Sequence, residues 1–151
     1  MIKTENEYIE AKKRLQDEFH AIEEQKAKLK KSGFNKQQIQ LAIDPLTTFA
    51  LQLQEEVEEY EKLMRGQFDP LESLNGVGHL LVGLRIYKGM KQKELAEKLG
   101  IKEPQVSRDE RNEYHGASID KIQKVLEALN VELRSEIKIS PKDTRQVTRP
   151  A

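Results

Sequence analysis

At Gly100 two short amphipathic runs meet, and their spacing leaves the chain few ways to fold. Upstream, Leu95, Ala96 and Leu99 place three apolar groups on one face of a helix only two turns long. Downstream, Ile101 plugs the corner and Val106 points inward from the next helix. Ala96 has to be small, because two helices joined this closely cross beside it. Gly100 suits the left-handed turn between them, a conformation that is sterically cheap only without a Cβ.

Such a pair, joined by a short glycine-containing turn, is a helix-turn-helix. A third helix that starts near Glu103, with Pro104 in its first turn, projects Gln105, Ser107, Arg108 and Arg111 while Val106 points inward. Gln and Arg are the side chains that pair bidentately with adenine and guanine edges in the major groove. Lys88, Lys91, Lys93 and Lys102 surround them as phosphate-contact candidates, and Glu103 at the head of the helix joins the same candidate DNA-binding set.

Residues Leu74 to about Leu133 resemble the Xre/Cro family of helix-turn-helix regulators, the stretch LRIYKGMKQKELAEKLGIKEPQVSRDE following its pattern throughout. The resemblance implies a mainly α chain with a lambda-repressor-like, five-helix-type domain that binds operator double-stranded DNA. It also implies that Gln92 opens the second helix and reaches the DNA backbone. Arg85 on the first helix then forms a structural ion pair with Glu110 late in the third. Two features depart from the pattern. Lys91 and Lys102 stand where Ser or Thr usually caps the second and third helices, which weakens capping. Asp109 replaces an aliphatic residue, so either it turns outward or the third helix ends differently. Tyr114, in the loop that follows, either braces the core or touches a phosphate.

The flanking segments follow from periodicity. From Thr4 to Lys31, Tyr8, Ala11, Leu15, Phe19, Ile22 and Leu29 form one narrow stripe, opened by a Thr4–Glu7 capping box and closed at Ser32-Gly33. Asn35 caps a short helix to Ile43, after which Asp44-Pro45 starts another, with Asp as cap and Pro in the first helical position. Leu46, Phe49, Ala50, Leu53, Val57, Tyr60, Leu63 and Met64 line that helix. Two striped segments with a short connection predict an antiparallel hairpin over residues 1–68, serving dimerisation or partner binding. Its run Glu55, Glu56, Glu58, Glu59 and Glu61 is either a solvated face or a surface for a basic partner.

After a break at Gly66–Pro70, a DNA-binding domain spans residues 69–130, with its first helix predicted from Leu71 to Tyr87 and its last from Ser118 to Leu129. Gly76, Gly78 and Gly83 weaken that first helix and mark close packing. Val131, Leu133, Ser135, Ile137 and Ile139 then alternate with charged residues. Alternation predicts one C-terminal β-strand over 131–139, whose partner is the same strand of a second chain. Val131, Leu133, Ile137 and Ile139 are therefore the expected dimerisation residues, and the expected assembly is a homodimer. Residues 140–151 read as a flexible tail.

Composition supports this division. The chain has zero net charge, but residues 1–75 hold 15 acidic against 11 basic side chains and residues 76–151 the reverse. The second half is the half suited to a polyanion. With no cysteine, disulfides and thiolate-bound zinc are excluded. His20, His79 and His115 fall on separate elements without metal-ligand spacing, and no glycine-rich phosphate loop follows a strand. We expect no enzyme activity, cofactor or metal, no membrane segment, and a cytoplasmic location. The long helical region ahead of the DNA-binding domain resembles, more loosely, HigA-type antitoxins of toxin–antitoxin operons. That resemblance implies a cognate toxin as partner. A regulator without a toxin, and a protein-interaction module with a merely structural helix-turn-helix, are the alternatives.

Overall fold

Thr4 opens the first helix of the computed structural model, which describes residues 1–139; the expected flexible tail lies outside the described residues. The Thr4 hydroxyl accepts from the Glu7 amide at 3.3 Å and the Glu7 carboxylate accepts from the Thr4 amide at 3.1 Å, the reciprocal capping box. Helix α1 runs Glu5–Lys31 and α2 runs Lys36–Met64. They are joined by a tight turn in which Gly33 sits at φ +85°. The pair is antiparallel, because Tyr8 stacks on Tyr60, Arg14 lies over Phe49, and Ile22 packs with Ile43 and Ala50.

The break expected at Asp44-Pro45 does not occur. Pro45 lies inside one continuous 29-residue helix. A proline there removes the amide that would bond the Leu41 carbonyl, but Leu41 is 68% exposed and water can take its place. Ile43 and Ala50, on either side of the proline, are 2% and 0% exposed and clamp α2 onto Ile22 of α1. Tertiary packing overrides the local stop signal. The Asn35 cap forms as expected, accepting from the Gln38 amide at 2.9 Å.

Residues after α2 turn through Gly66. The first helix of the second half is shorter than its apolar pattern suggests. Pro70 disfavours helical backbone before it, Ser73 is extended, and only a single 3-10 turn at Leu74–Gly76 precedes α3, Val77–Tyr87. Leu74 is accordingly 75% exposed. Then come α4 (Gln92–Leu99), α5 (Glu103–Arg111) and α6 (Ile119–Ala128). Four α-helices, not five, follow residue 69 among the described residues. The missing wall comes from the hairpin: Val57, Tyr60 and Leu63 of α2, with Ile2, share one core with Leu81, Val82, Leu95, Ala96, Val106, Val125 and Leu129. A second, smaller cluster of Ile22, Ile43 and Ala50 holds the distal half of the hairpin.

The C-terminal strand is not formed within the single chain. Residues 131–139 form no regular element, and no strand occurs among the described residues. A strand is defined by its ladder, and the described residues supply no second one. Val131, expected at a dimer contact, is taken by the monomer. Asn130 ends α6 in the left-handed region at φ 53°, the Val131 amide bonds the Leu126 carbonyl at 3.0 Å, and its side chain joins the main core. This is a Schellman cap with Asn in the glycine position. No helix among the described residues is long and apolar enough to cross a membrane.

Candidate nucleic-acid interface

The interface is built on a buried ion pair. Arg85 near the end of α3 is 3% exposed and Glu110 near the end of α5 is 0% exposed. The guanidinium grips the carboxylate with two parallel donors, Nε to Oε1 and Nη2 to Oε2, the latter at 2.7 Å. Such a fork-to-fork pair fixes orientation as well as distance. Every side of it is satisfied. Arg85 Nη1 donates to the Met90 carbonyl and Nη2 also to the Lys3 carbonyl, both at 2.8 Å. Gln92 Nε2 donates to Glu110 Oε2 at 2.7 Å. Among the described residues no buried side-chain polar atom lacks a partner. Helices α3, α4 and α5 and the start of the chain are thereby tied at one point.

Around that point α5 presents its polar face. Val106 is 0% exposed and Glu110 lies one turn on, so both face inward. Gln105, Arg108 and Arg111 are exposed and Ser107 is half-buried. Lys88, Lys91, Lys93 and Lys102 are exposed, as is Glu103. Among the described residues, none of these cations is held in a salt bridge. They keep their charge available to an outside anion. Gln92 is different. One of its two amide protons is committed to Glu110, which leaves the other for an external acceptor.

The two weak caps are handled differently. At α4 the cap comes from inside the helix, Glu94 accepting from the Lys91 amide at 2.6 Å. At α5, Lys102 makes no side-chain cap and Pro104 occupies the first turn. Asp109 is half-buried and pairs with Lys121 of α6 at 2.7 Å, and the helix continues past it to Arg111. Tyr114 braces the core at 6% exposure. Burial first, then the Glu110 and Asp109 carboxylates, push its phenol well above the usual tyrosine range.

Three contributions were not legible in sequence. The Lys3 carbonyl is one, since a main-chain acceptor leaves no residue signature. The Asp109–Lys121 pair joins two helices with no spacing to predict it. The third is the loop after α5, where Glu113 and Tyr114 both hold positive φ, 48° and 55°. Gly78 of α3 sits so close beneath that loop that a Cβ there would lie 1.7 Å from the Glu113 carbonyl oxygen. A glycine inside an apolar helix was the available signal. The structure also places Thr4 and the first α1 residues, Glu5 and Asn6, beside Lys91, Gln92 and Glu103, around an open cleft of about 430 Å³. The root of the hairpin thus borders the α4–α5 face.

Residues 84–135 match the helix-turn-helix family model. No curated protein and no solved structure matches the chain. The matched segment begins one residue before Arg85 and contains α4, α5 and α6 entire. This segment of the chain is therefore similar to a helix-turn-helix domain.

Proposed function

We propose that the protein is a sequence-specific transcriptional repressor that binds operator DNA as a homodimer, with α5 as the helix that enters the major groove. The observation that carries this reading is the pairing of an exposed Gln105–Arg108–Arg111 face with a fully satisfied buried clamp beneath it. A reading helix needs both a polar outer face and a fixed orientation. Gln105 and Arg108 are the base-contact candidates. Lys91, Lys93, Lys102 and Gln92 are the backbone-contact candidates, Ser107, Arg111 and Glu103 lying at the edge of the same surface. The chemistry assigned is binding, without catalysis or a cofactor, and the cell compartment is the cytoplasm.

The hairpin favours a further role as the antitoxin of a cognate toxin. Its exposed side chains include Phe34 at 46%, Leu41 at 68%, Phe49 at 41% and Leu51 at 47% exposure. Large apolar groups held in water on a projecting arm suit a protein partner. The Glu55–Glu56–Glu58 run on the same arm suits a basic one. A regulator without a toxin, or a module that binds only proteins, are the competing outcomes.

Selection of duplexes from a random pool, followed by titration at two salt concentrations, tests the DNA reading. Replacing Arg108 with Ala should erase discrimination at one base position, each bidentate contact being worth about 1–3 kcal/mol. Replacing Lys93 or Lys102 should weaken all sequences alike and lower the salt slope by about one. No enrichment and no salt dependence would leave only the protein-interaction module. Co-purification with the product of an adjacent reading frame, abolished by Phe49→Asp, tests the toxin.

A further inference from the structure

The chain beyond α6 carries a second symmetry. Val131 packs against the core, and from Glu132 to Ile139 the chain is exposed and takes up no regular element. Arg134 Nη2 lies 3.3 Å from Glu132 Oε2, so residues two apart share one side, as extended backbone requires. Leu133, Ile137 and Ile139 are 41%, 89% and 80% exposed. We propose that residues 132–138 pair antiparallel with the same residues of a second copy, about a two-fold axis through Ser135. This rests on the dimeric reading above and gives it a place and a register.

The sequence ELRSEIK is self-complementary about its centre. In that register Glu132 faces Lys138 and Arg134 faces Glu136, each twice, on one side of the ribbon. On the other side Leu133 faces Ile137, also twice. Opposite charges and apolar pairs placed directly across a ladder stabilise it, and like charges destabilise it. Other registers fail. Centring the pair on Arg134 sets Glu132 against Glu136 and Arg134 against itself. Centring it on Glu136 sets Arg134 against Lys138 and Glu136 against itself. A shift to Leu133 would draw Asn130 and the last turn of α6 into the ladder. A shift to Ile137 would bring Pro141, which has no amide proton, opposite Leu133. A one-residue slip sets charges across from Leu133 and Ile137. A parallel ribbon in register stacks every charge on its own kind.

The chain has no cysteine, so single-cysteine variants report cleanly. All the altered side chains are exposed, and the folded domain does not depend on them. Under mild oxidation without DNA, Ser135→Cys should link to a covalent dimer much faster than Lys13→Cys on the far arm. Leu133→Cys should link poorly alone but readily when mixed with Ile137→Cys. In sedimentation, Glu132→Lys should weaken the dimer by roughly tenfold, since two attractive pairs become repulsive. The double variant Glu132→Lys/Lys138→Glu should restore it. Slow linking of Ser135→Cys, or no restoration in the double variant, overturns the pairing. A dimer that links at Ser135 yet ignores every duplex upholds the pairing and overturns the repressor reading. A DNA-binding dimer that does not link there does the reverse.

Discussion

Cutting the Arg85–Glu110 clamp from either side should cost different amounts, and the contacts say which side matters more. Breaking a buried pair by removing one partner costs about 3–5 kcal/mol, because the survivor is left charged and dry. Glu110→Ala leaves the guanidinium with two acceptors, the carbonyls of Met90 and Lys3. Its cost should fall near the lower end, about 3 kcal/mol. Arg85→Ala leaves a carboxylate at 0% exposure with a single donor, Gln92, and strips both carbonyls of their bond. That cost should approach about 5 kcal/mol. For a chain of this size each kcal/mol moves Tm by about 2–4 °C. Glu110→Ala should then melt roughly 6–12 °C low and Arg85→Ala roughly 10–20 °C low. The double variant Arg85→Met/Glu110→Leu, which removes both charges and keeps the volume, should recover most of the loss. Circular dichroism melts, checked by urea titration, measure all three. Single variants that melt within about 2 °C of the parent, or a larger loss for Glu110→Ala, would falsify this accounting.

Gly78→Ala should destabilise by at least about 2 kcal/mol in urea titration, since the new methyl has to displace main chain and not a pliable side chain. It should also lower operator affinity by moving the loop that follows α5. Pro45→Ala should raise stability by about 1–3 kcal/mol, restoring the amide that a continuous α2 lacks; a lower Tm would mean the helix needs its proline. Glu61 is held below the usual carboxylate range chiefly by the Tyr8 hydroxyl, which donates to it at 2.6 Å. A group whose folded pKa is depressed contributes stability above its unfolded pKa and loses it as pH falls through the folded value. Tyr8→Phe should therefore cost about 1 kcal/mol at neutral pH and flatten the acid limb of the stability curve; an unchanged limb would exclude the bond.

The parts that were legible are those written in short-range spacing. Leu95, Ala96, Leu99, Gly100 and Val106 specify a helix pair within a dozen residues, and no distant contact competes with them. Thr4, Asn35 and Ser118 cap where they stand because a cap needs only its own next turn. Illegibility begins where two remote segments decide the outcome. Pro45 reads as a boundary until Ile22 is brought against Ile43. The alternation from Val131 reads as a strand from its first residue, although the helix cap had a prior claim on Val131. Residues 1–68 read as an attachment, yet Ile2, Val57, Tyr60 and Leu63 are part of the wall around Leu95 and Val106. The outward placement of the candidates Gln105 and Arg108 was accessible because Val106 fixes the helix phase. The bond from Gln92 to Glu110 was not, because an amide side chain does not announce its partner.

The seat of the Lys3 carbonyl on Arg85 bears on how such chains can diverge or be recombined. A chimera joined at residue 69 would carry the whole matched segment and discard Ile2, Val57, Tyr60 and Leu63 of its own core. The workable exchange point lies farther out, beyond Leu15 and Ala50, where the arm is held only by the small cluster around Ile22. There the stripe Tyr8, Leu15, Ile22 and Leu29 answers Ile43, Ala50 and Val57 at intervals of seven. Seven residues removed from each helix keep the stripe in phase and shorten the arm by about 10 Å. A deletion far from a whole number of turns would rotate the tip away from its partner helix. The arm is free in length and fixed in bearing.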